Sequence, residues 1–322
     1  MRIGKEVLPL KPLNHLKDEP DTRKSVARIL ALMKTGQDWS NLPRFLEGLK
    51  TAKRKLGAQM WEKIVRRAGM EGRLGIVMEC ARRVEATGLG MGQVGVVREV
   101  MLVIVDGVNS ACDHEQKRGW TDAPTLNAAA QMVTAVWSMT GETPHIKTRK
   151  DDSSSADPRR APEIVGIVLQ TLAARALAQN SSPSPIDLAE IERFADRLLK
   201  LWSEQTKSPK LQPTAPPTTK SKNNNIQPVP AANATLLTHA PIWHALQLSK
   251  SLFQQPDQRD LLRRLSDMQD EVEGVIRDAV AIVEEVEGAR RDSGGSGESG
   301  GSIKGMGKGR GWQMWEALRA AV

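Results

Sequence analysis

Few residues in this sequence are spaced for chemistry. Cys112-Asp113-His114 sets three potential metal ligands side by side. Side chains that close in sequence seldom converge on one ion, and no second Cys or His pair is placed to complete four ligands. The expectation is therefore a loop after a helix ending near Ala111, with no metal. Gly90-Met91-Gly92-Gln93-Val94-Gly95 matches G-x-G-x-x-G, whose glycines let backbone amides approach a pyrophosphate at a helix N-terminus. That chemistry needs a hydrophobic strand just before it, whereas Cys80 to Thr87 reads as a charged helix, so the run is expected to be a turn between helices. His15, His145, His239 and His244 are scattered, and no Ser, Cys or His nucleophile arrangement can be assembled. Neither catalysis nor a small-molecule cofactor is expected.

Charge is the more informative chemistry. The chain of 322 residues carries a net +8, but Arg23 to Arg83 holds fifteen Lys/Arg against five Asp/Glu, so the basicity belongs to one region. Such a segment is what a polyanion would contact. The candidate phosphate-contacting residues are Lys53, Arg54, Lys55, Lys63, Arg66, Arg67, Arg73, Arg82 and Arg83, and contact of that kind gives salt-dependent, weakly sequence-selective RNA binding. The bland alternative is a solubilising helical surface.

The elements that must position these residues are helical. Aromatics make up 3%, with 8 Trp, 3 Phe and no Tyr, while Ala, Leu, Arg, Lys, Glu and Met abound, which disfavours sheets. The 3.6-residue periodicity predicts helices near 22–35, 40–53, 57–69, 72–87, 91–110, 122–139, 162–180, 185–205, 240–254 and 257–290. Sliding the sequence by 35 residues places Val26 on Trp61 on Val96, and Leu30 on Val65 on Val100. Apolar columns at that period are expected of helical hairpins that must stack to bury both faces, and the fold class is all-α, a solenoid of helical hairpins. Trp39 and Trp61 fall in these columns and are expected in the core; of the tryptophans in the repeat region, Trp120 is the other that could stack on a base.

The expected organisation is an N-terminal tail over 1–21, a basic helical-repeat region over 22–146, a loop over 147–161 and a further helical hairpin over 162–206. A Pro/Lys/Asn-rich disordered linker over 207–237, an acidic helical segment over 238–291, a Gly/Ser-rich tether over 292–311 and a short helix over 312–322 complete it. Two cysteines cannot form a disulfide framework, which suggests a reducing compartment. No stretch has the roughly 20 apolar residues of a membrane span, and Met1 to Lys24 mixes acidic with basic residues, unlike a signal or transit peptide.

Gly72-Arg73-Leu74, then Val77, Met78, Glu79, Arg82, Arg83 and Val84 to Gly88-Leu89, resembles the second half of a pentatricopeptide repeat. The resemblance is clearest over residues 57–91, with degenerate neighbours at 22–56 and 92–112. It implies an α-solenoid whose basic concave face contacts RNA, usually in mitochondria or chloroplasts, so the expected setting is mitochondrial gene expression, with the cytoplasm as the alternative. Base identity in that family is read by small polar side chains; the aligned positions here are Lys63 and Gln93, which favours phosphate contact over base reading. The alternative function is a protein–protein scaffold with a tetratricopeptide-like groove.

Two further segments could hold protein partners. Residues 257–290 carry Leu261, Leu265, Met268, Val272, Val275, Ala279, Ile282 and Val286 at alternating spacings of four and three, a heptad seam on an acidic helix. Leu262, Ile276, Val280 and Val283 widen the stripe, so packing onto the chain's own helices and coiled-coil pairing are both open. Trp312, Trp315 and Leu318 give the last helix an apolar face that could dock in a partner groove or fold back onto the core.

Overall fold

A computed structural model describes residues 2–3, 6–7, 21–114, 120–150, 157–179, 184–207, 228–254, 258–293 and 309–321. Within these the class is all-α, apart from a two-residue antiparallel ladder joining β1 (Arg2–Ile3) to β2 (Glu6–Val7). The chain divides into two compact units, Met1–Leu89 and Gly90–Val322. The expected basic region over 22–146 spans both. Most of the expected linker and tether, and part of the N-terminal tail and of the 147–161 loop, lie outside the described residues.

The first unit holds α1 (Thr22–Leu32), α2 (Gly36–Ser40), α3 (Leu42–Thr51), α4 (Ala58–Met70), α5 (Leu74–Arg82) and α6 (Val84–Thr87). Asp21 starts α1 by accepting hydrogen bonds from the amides of Arg23 and Lys24, and Thr35 with Asp38 forms a capping box on α2. Gly72 (φ 67°) and Gly88 (φ 81°) end helices in the left-handed conformation that side chains resist. Arg23 donates to Gln59 near the N-terminal ends of α1 and α4, and beyond their C-terminal ends the Arg73 guanidinium lies over Gly36, so the two helices run parallel. Lys50 donates to the carbonyls of Val84 and Glu85, and Glu47 pairs with Arg83. These partners are 34–36 residues apart, so the 35-residue period marks equivalent positions of two stacked hairpins. Val26, Leu30, Trp39, Leu46, Ile64, Val65 and Val77 are buried between them.

The second unit is built differently. It comprises α7 (Val94–His114), α8 (Ala123–Met139), α9 (Thr143–Lys150), a 3-10 turn at Pro158–Arg160, α10 (Pro162–Ala178), α11 (Pro185–Lys207), α12 (Pro228–Leu252), α13 (Arg259–Ser293) and α14 (Arg310–Ala320). Helix α10 is apolar almost all round, and α7, α8, α11 and α12 pack against it. Helices wrapped around a central member form a bundle. Gly166 lets α12 come close: a Cβ there would stand 2.7 Å from Cγ1 of Ile242. Helix α9 was not expected from the sequence, and α12 starts twelve residues before the expected 240 because Pro228 and Pro230 sit in its first turn, where no intrahelical N–H is needed.

Helix α13 lies along α12, so the widened stripe packs within the chain. Leu261, Leu265, Met268, Val272, Ile276, Ala279 and Val283 are the buried set, while Val275, Ile282 and Val286 of the expected heptad seam are only half-buried. The buried positions follow the 3.6-residue repeat of a straight helix rather than the 3.5 of a supercoil.

Candidate nucleic-acid interface

The structure distributes the nine candidate cations over three places. Lys53, Arg54 and Lys55 are exposed in the connection from α3 to α4. Lys63, Arg66 and Arg67 lie on α4, the first two exposed and the third half-buried. Arg73 follows the far end of α4, about 20 Å from Lys55 by the helical rise, and Arg82 ends α5 with Arg83 just after it, close to the Lys50 end of α3.

Carboxylates sort them further. Arg67 pairs with Glu71 at 3.1 Å, and Arg83 is held by Glu47 and, at 3.5 Å, by Glu79. Among the described residues Lys53, Lys55, Lys63 and Arg82 have no ion pair. Lys53 is the one non-glycine described residue with positive φ, at 54°. The left-handed turn after α3 would favour glycine by about 1 kcal/mol, and it places Lys53 at the exposed start of the connection to α4.

The parallel course of α1 and α4 adds residues that the sequence reading missed. Arg23, Lys24 and Arg28 are exposed on α1 beside Lys63 and Arg66 of α4, and the signal was present, since Arg28 falls on Lys63 in the 35-residue shift. Arg23 and Lys55 flank a groove of about 260 Å³ floored by Leu56, Gly57, Ala58, Gln59 and Met60. Gly57 supplies no side-chain cap, so the first amides of α4 border this groove together with the two cations.

The other candidates resolve into packing. Trp39 is fully buried and Trp61 half-buried. Trp120 is buried, donates to Asn109 at 2.8 Å and meets His244 edge-on, which leaves it no face for a base. Gly90 lies in the turn before α7, where a Cβ would stand 2.3 Å from the Thr148 side chain, so close packing accounts for that glycine. The side chains of Cys112, Asp113 and His114 lie outside the described residues, as does His15. Among the described residues no cluster of His, Cys, Asp and Glu could hold a metal, and no helix is long and apolar enough to cross a membrane. Burial pushes the Cys80 thiol up to about 12, so it is no nucleophile, and burial lowers His145, His239 and His244, the last to about 3.

Of the two readings of the last helix, the structure shows the one that folds back. Trp312 and Leu318 are buried, and Trp315 sits edge-on to Trp243 of α12 at 5.0 Å. Asn233 of α12 caps α14 by accepting from the Trp312 amide at 3.0 Å, and a Cβ on Gly311 would stand 2.0 Å from the Asn233 carbonyl oxygen. Arg310 bridges Glu99 at 2.8 Å and Asp106 at 2.7 Å on α7.

Fold and surface together define an all-α protein with a cationic flank and, among the described residues, no assembled catalytic or metal site. A family model described as mitochondrial ribosomal protein mS27 matches residues 1–316, and the chain belongs to that family. The small ribosomal subunit protein mS27 of Neurospora crassa is 26% identical over 201 residues, which cover 59% of this chain and 49% of that protein; the chain thus spans about half the length of the curated relative it matches.

This family match corrects the pentatricopeptide resemblance. The Gly72-Arg73-Leu74 and Gly88-Leu89 signals report left-handed helix ends, which are common to helices of many families. A family of ribosomal proteins, not of enzymes, agrees with the absence of a catalytic arrangement in the sequence. The mitochondrial and ribonucleoprotein readings now stand on family membership instead of on the repeat motif.

Proposed function

We propose that this chain is a non-catalytic component of the mitochondrial small ribosomal subunit that holds RNA by its phosphates at the flank of the first unit. The observation that carries the RNA contact is the row of exposed cations on the parallel helices α1 and α4, continued by Lys53 and Lys55 at the groove beside the uncapped α4 N-terminus. Lys53, Lys55 and Lys63, which have no ion pair among the described residues, release counterions from a polyanion, and helix amides add a positive end to the same surface. Arg67 and Arg83, bound to carboxylates, contribute less than their place in the sequence suggests. Mitochondrial and small-subunit assembly rest on the family and on its Neurospora crassa member.

The test is binding of unstructured RNA at several salt concentrations by the full chain and by a variant with Lys24, Arg28, Lys53, Lys55 and Lys63 changed to Gln. If all five contact phosphate, the slope of log affinity against log salt falls by about 3.5. Equal slopes and affinities would refute this surface and favour the scaffold reading, in which the charge only solvates the fold.

A further inference from the structure

A second arginine cluster, absent from the sequence reading, lies wholly within the second unit. Arg159 of the 3-10 turn closes the end of α8: its Nε donates to Thr140 Oγ1 at 2.9 Å and its Nη2 to the carbonyls of Trp137 and Ser138 at 3.4 Å. The guanidinium crosses over Gly141, where a Cβ would stand 2.0 Å from Nη2. The Arg159 carbonyl oxygen in turn accepts from Nε and Nη2 of Arg197 on α11, at 3.2 and 2.9 Å. Both guanidiniums lie over the half-buried Trp137 ring, at 5.5 and 5.3 Å from its centre. Arg193 lies over Phe194 in the same way, at 5.3 Å, and Phe194 packs edge-on against Trp137. Arg160 reaches along α11 to Glu204 at 3.6 Å, which places it past the exposed Lys200.

We propose that Arg160, Arg193, Arg197 and Lys200, set on the Trp137–Arg159 base, form a second binding site for the phosphodiester backbone of RNA. The inference rests on the RNA reading above for its ligand class and on this geometry for its place. Guanidiniums brought together repel one another, and aromatic rings hold their planes while leaving edge N–H groups free to face outward. Arg197 keeps its Nη1 donors unspent after bonding the Arg159 carbonyl. Its pKa is lowered by burial first and then by Arg159, with only partial relief from Asp157. The carboxylates that balance the rim, Glu190 at 3.4 Å from Arg193 and Glu204, make exposed pairs that a denser anion displaces at little cost. A row of cations along one helix, with lysine among the arginines, suits a chain that carries a charge on every residue better than a single acidic side chain.

The experiment uses the full chain and an unstructured 20-nucleotide RNA. In the triple variant Arg160→Gln/Arg193→Gln/Lys200→Gln, whose residues lie at the rim, the salt slope should fall by about 2 and affinity at 0.1 M salt by about 100-fold, if all three contact phosphate. Arg197→Lys, which keeps the charge but loses the fork and the stack, should weaken binding several-fold while leaving the salt slope unchanged. If the triple variant binds like wild type while the five-residue variant of the first unit is impaired, this site is overturned and the proposed function stands. If the triple variant is impaired and the five-residue variant is not, this site stands and the first-unit surface is wrong. Absence of RNA binding by wild type at low salt would overturn both. Displacement of RNA by polyglutamate as effectively as by unlabelled RNA, at equal charge, would overturn it in favour of an acidic protein segment.

Discussion

Arg310 is the place to test whether α14 belongs to the fold. It opens the helix and projects onto α7, where its Nη1 meets Glu99 at 2.8 Å and its Nε and Nη2 meet Asp106 at 2.9 and 2.7 Å. The Glu99 side chain is only 4% exposed, that of Arg310 25% and that of Asp106 39%, so the Glu99 half is sheltered and the Asp106 half partly screened. Breaking a fully buried ion pair by removing one partner costs about 3–5 kcal/mol, and the solvent reaching Arg310 and Asp106 reduces that to about 2–4 kcal/mol. In a unit of this size Arg310→Gln should therefore lower the melting temperature by about 5–10 °C. If α14 instead detaches before the rest unfolds, the loss will appear as faster hydrogen exchange of amides 312–320. The pH dependence fixes the cause. Burial raises the Asp106 carboxyl and Arg310 holds that rise back, so without the cation the folded-state pKa climbs further above the unfolded value. Protonation then favours the folded state, and the deficit of the variant should shrink from pH 7 to pH 5. An unchanged melting temperature together with unchanged exchange in 312–320 would refute the reasoning.

Three other expectations follow from the interior. Gly166→Ala puts a methyl 2.7 Å from Ile242 Cγ1 and 3.3 Å from its Cα, so the urea midpoint should fall by the equivalent of about 1–3 kcal/mol, and Ile242→Ala in the same chain should recover part of it; additive losses would contradict the contact. Burial depresses His244 to about 3 from an ordinary 6.5, so it contributes stability above pH 6.5 that is lost as pH falls, by up to about 1.4 kcal/mol per unit. Urea midpoints at pH 7 and 5 should show this loss, and His244→Gln should flatten it; an equal pH dependence in both proteins would assign the effect elsewhere. Cys80, fully buried with a thiol near 12, should resist maleimide at pH 8 in a Cys112→Ser background and react once urea unfolds the chain, whereas rapid native labelling would place it outside the core.

What the sequence disclosed and what it hid divide along contact distance. The first unit was legible because its contacts repeat: Arg23 to Gln59, Lys50 to Glu85 and Glu47 to Arg83 each join positions about 35 residues apart, and sequence self-comparison detects that spacing. The same legibility misled the family assignment, since left-handed glycines such as those at 72 and 88 end helices in many families. The second unit offers no repeat. Its centre, α10, shows as an apolar run, but the choice of neighbours is made by single close approaches such as Gly166 against Ile242 and Gly311 against Asn233, and composition does not register these. Helix α12 hid because Pro, Asn and Thr make its first half look like linker, while in place Asn233 caps α14 and Thr235 returns its hydroxyl to the Ala231 carbonyl. The arginine cluster is the extreme case: Trp137, Arg159 and Arg197 come from three segments spread over 60 residues. Basic residues that are consecutive in sequence, such as Lys53, Arg54 and Lys55, need no partner to be noticed, whereas guanidiniums oriented over one ring are visible only once α8 and α11 are packed. Cation density along a chain therefore marks where a polyanion could be attracted, and only the packed rings mark where its phosphates could be held in a fixed geometry.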